Sequence, residues 1–196
     1  MTLSIYDFDG TITHRDSFIE FLKFCSGRKK YFKNIFMLSP FIILYFAKIL
    51  PNEVLKERFI SIFFKGFSIE AFNALCNNFA LSILPNILRE DAKKSIEEAL
   101  KRDDRIIIIT ASPEKYIVPW ANEMGIEVIG TKLKVKNRKL TGRLDGKNCY
   151  GKEKLERLNK YIKLNDYDEI LVYGDSRGDK EMLSVATKKF YRYFKK

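Results

Sequence analysis

The amino-acid sequence predicts an α/β protein with a doubly wound, mostly parallel sheet. Short apolar segments of strand type alternate with longer segments of helical periodicity, a pattern typical of parallel strands joined by crossover helices. The segment 105–110, Arg-Ile-Ile-Ile-Ile-Thr, is a continuous β-branched run of the kind found in strands buried on both faces. Residues 131–144 alternate around Asn137-Arg138, which adds a small β-hairpin.

The elements follow one another along the chain without repeats. Residues 3–7 form the first strand, and residues 17–80 are predicted helical, with a helix ending at Gly27. After strand 105–110, Ser112 as N-cap and Pro113 at the first helical position predict another helix. The remaining elements are a strand at 126–130, a helix at 152–163, a strand at 169–173, a helix at 179–186 and a short strand near 190–193.

Composition limits the classes of partner and compartment. The formal net charge is +11, and residues 130–163 hold twelve cations against three acids. This charge favours anionic partners, the alternative being a solvated basic surface. No nucleic-acid-binding motif accompanies it, so a nucleic-acid partner is not expected. Three scattered cysteines and a strand beginning near Thr2 predict a cytoplasmic protein without disulfides or signal peptide, with peripheral membrane attachment as the alternative.

The first strand ends in two carboxylates, Asp7 and Asp9, followed by Gly10. The two carboxylates are expected to serve one site together where the backbone bends just after the strand, and Gly10 permits that bend. Crowded carboxylates favour a bound cation, and oxygen ligands favour Mg²⁺. A carboxylate beside Mg²⁺ is also a competent nucleophile toward phosphorus. The alternative is a solvated turn.

Two further polar residues follow predicted parallel strands. Thr110 ends the strand 105–110, and Asp175 follows the strand 169–173. Ligands of such sheets bind beyond the carboxyl ends of the strands. Asp7, Thr110 and Asp175 are therefore expected at one edge of the sheet.

With these residues the chain resembles the haloacid dehalogenase (HAD) superfamily, and within it the phosphoserine-phosphatase-like subfamily with a helical cap. The matching motifs are Asp7-Phe8-Asp9-Gly10-Thr11, Ile109-Thr110-Ala111-Ser112, a lysine opening the helix after the hairpin, and Gly174-Asp175-Ser176-Arg177-Gly178-Asp179. The resemblance implies a Rossmann-like core of residues 1–12 and 81–196, with residues 13–80 inserted as a cap.

The resemblance also implies residue roles. Asp7 would be the nucleophile and Asp9 the acid and base, while Thr110 would bind the phosphoryl group. Mg²⁺ would be held by Asp7, the backbone carbonyl of Asp9 and Asp175, with Asp179 acting through a water or another ligand. Ser112 would contact phosphate, be a helix N-cap, or both.

The catalytic lysine has two candidates. Family members have Lys-Gly, but in this chain Tyr150 precedes Gly151. Aligning the apolar positions Leu155 and Leu158 assigns the slot to Lys152, with Lys154 as the fallback. Either lysine could instead be a solvated residue of the helix surface.

Two residues of the cap resemble the substrate-binding residues of phosphoserine phosphatases. Asp16 stands where those enzymes have a Glu for the substrate amino group, and Arg58 matches an Arg that binds the carboxylate. The Asp is one methylene shorter, which puts a phosphoserine substrate in doubt. The alternative is that both residues belong to exposed helix surfaces.

Residues 34–47 carry no charge. Fourteen residues are fewer than the roughly 20 needed for a spanning helix, and Pro40 is expected to break or kink this one. The segment is predicted to be either a buried helix pair or an apolar flap that rests on a membrane or accepts an acyl chain. The flanking Arg28, Lys29, Lys30, Lys33 and Lys48 suit an anionic lipid surface.

Three functions follow from these features. The first is Mg²⁺-dependent hydrolysis of a small phosphorylated metabolite through an aspartyl-phosphate. The second is the same chemistry on a lipid phosphate or another large anion at a membrane. The third is a phosphate-binding regulatory module without turnover. The sequence gives neither the substrate nor the oligomeric state.

Overall fold

The predicted strands lie in one five-stranded parallel sheet and one separate hairpin. The computed structural model describes residues 1–195. The strands are β1 (Thr2–Tyr6), β2 (Arg105–Pro113), β3 (Glu127–Thr131), β4 (Leu133–Lys136), β5 (Lys139–Leu144), β6 (Glu169–Gly174) and β7 (Lys188–Tyr191). The sheet order is β3-β2-β1-β6-β7, and β4 pairs with β5. The predicted fold class is confirmed.

Seven α-helices connect or follow these strands in the described residues. They are α1 (Ser17–Phe46), α2 (Asn52–Phe64), α3 (Ile69–Ser82), α4 (Glu90–Lys101), α5 (Val118–Asn122), α6 (Lys152–Tyr161) and α7 (Lys180–Ser184). Three of them, α1 to α3, fall within or close to the predicted cap, residues 13–80. The division into a core and an inserted cap stays a prediction.

Strand β2 alternates between two hydrophobic clusters, one on each face of the sheet. Ile106 and Ile108 pack with α3, α4 and α5, whereas Ile107 and Ile109 pack with α6 and α7. This is why every position of the run 106–109 is apolar. Burial on both faces fixes the central strands and hence the polar residues at their carboxyl ends.

Helix α1 is interrupted at Gly27, where the sequence predicts a helix end. Gly27 has φ 68° and ψ 162°, and the chain is helical on both sides of it. Pro40, which was expected to break or kink the second half, lies inside the helix without ending it. A proline leaves the carbonyl four residues earlier without its N–H donor. Here the Ser39 hydroxyl donates to the Phe36 carbonyl at 2.7 Å.

The uncharged segment 34–47 packs on one side only, so the prediction of a buried helix pair is wrong. Asn34 and Leu38 are buried, while Phe36, Ile43 and Phe46 are exposed. Among residues 1–195, no helix has both the length and the apolar character required to cross a bilayer.

The hairpin forms where the sequence predicts it and contacts α2. Asn137 and Arg138 both have positive φ, as a tight two-residue turn requires. Gly142 permits the contact, because a Cβ there would lie 2.9 Å from the Cα of Ser61. On the same strand, the Leu144 N–H donates to Glu57 at 3.0 Å. These contacts hold α2 against the hairpin.

Candidate active site

The carboxyl ends of three neighbouring strands carry the predicted site residues. Tyr6 of β1 is in register with Ile108 of β2 and Tyr173 of β6. Asp7 continues the ladder, because its N–H donates to the Tyr173 carbonyl at 2.9 Å. Asp7, Thr110 and Asp175 therefore lie at one edge of the sheet, as expected for open parallel sheets.

Asp7 is buried and hydrogen-bonded through both carboxylate oxygens. Lys154 Nζ donates to Oδ1 at 2.5 Å, and the Thr11 hydroxyl donates to Oδ2 at 3.2 Å. Burial raises the pKa of Asp7 to about 7, against the opposing effect of the Lys154 charge. The carboxylate is thus fixed in place and nearly withdrawn from solvent.

A cluster of three acids suits a divalent cation. Carboxylate oxygens of Asp7, Asp175 and Asp179 lie within 4.8 Å of one another. Among residues 1–195, Oδ1 of Asp175 is a buried oxygen without a hydrogen-bond donor. Its other oxygen pairs with Lys195 Nζ at 2.5 Å. Clustered carboxylates with one oxygen lacking a donor are ligands of the type that Mg²⁺ prefers.

Gly10 allows Asp175 to approach the turn after β1. Gly10 has φ +84°, and a Cβ there would lie 2.5 Å from Oδ2 of Asp175. Any other residue would be strained in this conformation and would push the carboxylate away. The turn that brings Asp7 and Asp9 into one site therefore also allows Asp175, which follows β6, to lie close to them.

Asp179 organises the turn that carries Asp175. Its Oδ2 accepts from the Asp175 N–H at 3.1 Å and from the N–H and hydroxyl of Ser176, both at 2.9 Å. Its Oδ1 accepts from Lys154 Nζ at 2.6 Å. Burial raises its pKa, but Lys154 and Ser176 outweigh that effect, so the pKa is lowered. Both oxygens are therefore engaged within the protein.

Asp9 points toward the start of α1 and the end of β2. The Ser17 N–H donates to its Oδ1 at 2.7 Å, and the Ser112 hydroxyl donates to its Oδ2 at 2.5 Å. Burial raises the pKa of Asp9, and the nearby charge of Asp16 adds to that shift. A raised pKa favours the protonated carboxyl, which is the form that a general acid requires.

Thr110 and Ser112 face the same cavity, but Ser112 is not a helix N-cap. Strand β2 continues through Pro113, and a short 3₁₀ turn, Glu114–Tyr116, precedes α5. The helix predicted to begin at Ser112 therefore begins at Val118. The Ser112 N–H donates to the Thr110 hydroxyl at 3.0 Å. That oxygen accepts there, which leaves its own proton for a ligand.

The preference for Lys152 over Lys154 is corrected by the structure. Lys152 is exposed and its ammonium lies 3.5 Å from Glu156, whereas Lys154 is buried between Asp7 and Asp179. Helical periodicity gives the reason, because Lys154 and the buried Leu158 are four residues apart on α6 and share its inner face. That signal was available in the sequence.

The two predicted substrate residues lie in different surroundings. Asp16 lines the cavity, yet its Oδ1 caps α1 by accepting from the Ile19 N–H at 2.9 Å. Arg58 is exposed, and its guanidinium lies 4.9 Å from the ring centre of Phe41. It does not line the cavity, so its assignment as a substrate ligand is corrected.

Lys56 reaches the cavity that Arg58 does not. Residues two apart on a helix point in different directions, and α2 turns Lys56 inward. Its Nζ donates to the Ala111 carbonyl and to Oδ1 of Asn148, both at 2.7 Å. An ammonium has three donors, so a third is left for a ligand. Burial lowers the pKa of Lys56 to about 8. No motif or spacing in the sequence had indicated that Lys56 belongs to the site.

The site opens into a cavity of about 480 Å³. Its polar lining includes Asp7, Asp9, Lys56, Thr110, Ser112 and Lys154. Its apolar wall comes from α1 and α2 and includes Ile42, Tyr45, Phe46, Leu55 and Phe59. A ligand in this cavity would contact a charged and an apolar surface at once.

Comparisons with known proteins agree with this architecture. A family model described as haloacid dehalogenase-like hydrolase matches residues 5–184. Protein CicA of Caulobacter vibrioides is 35% identical over 195 residues, 98% of this chain and 86% of that protein. A Bordetella pertussis Tohama I protein of unknown function has a TM-score of 0.82 at 22% identity, covering 96% of this chain and 88% of that one. A substrate-bound phosphoserine phosphatase has a TM-score of 0.67 at 19% identity, covering 96% and 84%. At these identities both solved structures establish likeness of fold alone.

Proposed function

The chain belongs to the haloacid dehalogenase-like hydrolases, and from that premise we propose that it is a Mg²⁺-dependent phosphatase acting through an aspartyl-phosphate on Asp7. One observation carries the proposal: Asp7 is a buried carboxylate at a strand end, held by Lys154 and facing the cavity. The neighbours include phosphoserine phosphatases, which supports a phosphate monoester as substrate.

The reaction has two steps. A carboxylate oxygen of Asp7 forms a bond to phosphorus while the bond from phosphorus to the substrate alcohol oxygen breaks. Asp9 gives its proton to that alcohol oxygen. Asp9 then takes a proton from water, whose oxygen attacks phosphorus and releases inorganic phosphate from Asp7. The position of Asp9 supports this role, because Ser17 and Ser112 hold its carboxyl at the cavity.

The remaining site residues would hold the phosphoryl group and the metal. The Thr110 hydroxyl and the Lys154 ammonium would donate to phosphoryl oxygens, offsetting their charge. Asp7, the Asp9 carbonyl and Asp175 would hold Mg²⁺, and Asp179 would keep Asp175 and Lys154 in position. When bound, Mg²⁺ supplies positive charge to the phosphoryl oxygens and lowers their repulsion of an incoming carboxylate.

The helical segment, residues 13–80, would act as a cap on the core formed by residues 1–12 and 81–196. The cavity supports this division, because its polar end comes from strand ends and its apolar wall from α1 and α2. A cap of this kind excludes water from the site and selects the substrate.

The test is turnover of p-nitrophenyl phosphate with Mg²⁺ by the wild type and by Asp7→Asn. We expect turnover by the wild type and loss of at least about 10³-fold in kcat for the variant, because an amide is not a nucleophile at phosphorus. Lys152→Ala, on the exposed side of α6, is the matched control. Binding of beryllofluoride without turnover of any monoester would instead support a regulatory module.

A further inference from the structure

The second half of α1 presents a continuous apolar surface to solvent. Its exposed residues, named here the apolar face of α1, are Phe32, Phe36, Met37, Ile43, Leu44 and Phe46. Phe36 is 80% exposed, Phe46 77% and Ile43 66%. They recur at spacings that keep them on one side of a helix. Contiguous exposed apolar surfaces of this kind mark an interaction site.

The opposite side of the same helix segment packs on the rest of the protein. Asn34 and Leu38 are buried, and Ile35, Phe41 and Ile42 pack on the main hydrophobic cluster. Apart from Asn34, Ser39 and the Tyr45 hydroxyl, the segment 34–47 is therefore apolar on both sides, which in a globular protein normally means that every side is covered. Within residues 1–195 the protein covers only one side.

The charges beside the apolar face indicate what covers the other side. From residue 21 to residue 52 the chain has no acidic residue, whereas its basic residues there are Lys23, Arg28, Lys29, Lys30, Lys33 and Lys48. All six are exposed, and in the described part of the chain all but Lys23 form no salt bridge. Apolar side chains flanked by unpaired cations are complementary to a bilayer with anionic headgroups.

The apolar face of α1 is continuous with the catalytic cavity. Phe46 belongs to both, since it is mostly exposed and also lines the cavity. Ile42 and Tyr45 of α1 and Leu55 and Phe59 of α2 line the same cavity and form its apolar wall. An acyl chain could follow this wall from the bilayer side while its phosphate group lies at Asp7.

Resting on the phosphatase activity proposed above, we propose that the apolar face of α1 docks on an anionic phospholipid bilayer and that the substrate is an acylated phosphate monoester presented by that bilayer. The charged side chains of the cavity act on the phosphate headgroup, and the apolar wall accepts the adjoining acyl chain. The substrate class is thus inferred from the apolar face of α1 and the apolar wall of the cavity, which share Phe46.

A second copy of this chain is a poorer occupant of the same face. A two-fold interface places the same patch on both sides. The basic residues around α1 would then face each other with no acid from residues 21–52 between them. Like charges brought together at an interface disfavour association.

The first experiment measures docking. Flotation with vesicles of phosphatidylcholine, with and without phosphatidylglycerol, should show binding of the wild type that needs the anionic lipid and falls with added salt. The double variant Phe36→Glu/Ile43→Glu should lower the bound fraction by about tenfold or more. Leu81→Glu, at a 56% exposed leucine of α3, is the matched control and should bind as the wild type does.

The second experiment measures substrate class with a matched pair. Lysophosphatidic acid and glycerol 3-phosphate carry the same phosphate on glycerol, with and without an acyl chain. We expect kcat/KM to be at least about tenfold higher for the acylated compound, because the chain contacts the apolar wall. Phe46→Ser should reduce this preference by raising the KM for the acylated compound.

The outcomes separate this inference from the phosphatase proposal. Turnover of p-nitrophenyl phosphate with neither vesicle binding nor preference for the acyl chain would overturn the inference alone. A dimer that becomes monomeric in Phe36→Glu/Ile43→Glu, without vesicle binding, would overturn it in favour of self-association. Vesicle binding without turnover of any monoester would contradict the phosphatase proposal and leave only the docking part supported.

Discussion

The ammonium of Lys154 lies 2.5 Å from Oδ1 of Asp7, with both side chains buried. These residues are 147 positions apart in the chain. The same ammonium lies 2.6 Å from Oδ1 of Asp179, so one cation joins the ends of β1 and the turn after β6. Burial opposes the charged form, but the two carboxylates outweigh it and raise the pKa of Lys154. Asp7, which we propose as the nucleophile, and Asp179 are therefore held as one unit.

Replacing Lys154 should separate the two lysine candidates. We expect Lys154→Ala to lower kcat by at least about 10²-fold, because the phosphoryl group loses a cation and two buried carboxylates lose their partner. The kcat of Lys152→Ala should stay within about twofold of the wild-type value, since the ammonium of Lys152 is solvated. Steady-state kinetics with p-nitrophenyl phosphate give the comparison. Equal losses of kcat in both variants would contradict the assignment of Lys154, rather than Lys152, to the site.

The Mg²⁺ requirement of the protein should depend on Asp175. Adding Mg²⁺ to chelator-treated protein should raise its melting temperature and restore turnover, because a ligand of the folded state stabilises it. In Asp175→Asn we expect both effects to need at least about tenfold more Mg²⁺. Calorimetry of the protein alone gives a readout that does not depend on activity. An unchanged Mg²⁺ requirement in the variant would exclude Asp175 as a ligand.

Gly10 and Gly66 form a matched pair for the turn after β1. Both have strongly positive φ, +84° and +86°, but a Cβ meets Asp175 at 2.5 Å only at Gly10 and has nothing within 4 Å at Gly66. Alanine at either position should lower the free energy of unfolding by about 1–2 kcal/mol through backbone strain. Only Gly10→Ala should also lose turnover, by at least about tenfold. Chemical denaturation and kinetics on both variants test this.

Lys56 should give substrate binding a pH dependence. Its pKa is lowered to about 8 by burial, and the charges of Asp9 and Asp16 oppose that shift. Below pH 8 the ammonium is charged and can donate to an anionic substrate, and above it the charge is lost. The KM for a phosphate monoester should therefore rise as pH increases through about 8. We expect Lys56→Met to have a high KM that does not vary over this range, and the same rise in that variant would refute the assignment.

Much of the sheet edge could be predicted from local patterns. The run 106–109 is apolar at every position because both faces are covered, and this identified β2 and placed Thr110 directly after the run, although the strand continues to Pro113. Asp7 and Asp175 follow β1 and β6 in the same way. The predicted fold class and family are confirmed, whereas the catalytic roles of these residues stay predictions.

The predictions were wrong where the rotation of a helix or the pairing of a strand determines the surroundings of a residue. Lys152 and Lys154 are equally plausible as residue types, and only the phase of α6 against its buried Leu158 separates them. Ser112-Pro113 has the composition of a helix start, yet pairing of Pro113 with Thr131 continues the strand instead. Local preference was overridden there by a neighbouring strand.

By itself, the sequence determined the order of the strands and the polar residues Asp7, Thr110 and Asp175 near the carboxyl ends of the central strands, because these depend on local periodicity and burial. Only the tertiary structure decided which side chains meet. It turned Lys56 rather than Arg58 into the cavity, buried Lys154 between two acids, and left the apolar face of α1 exposed. The physical reason is that a helix can rotate about its axis without changing its sequence pattern, and packing against its neighbours selects the rotation.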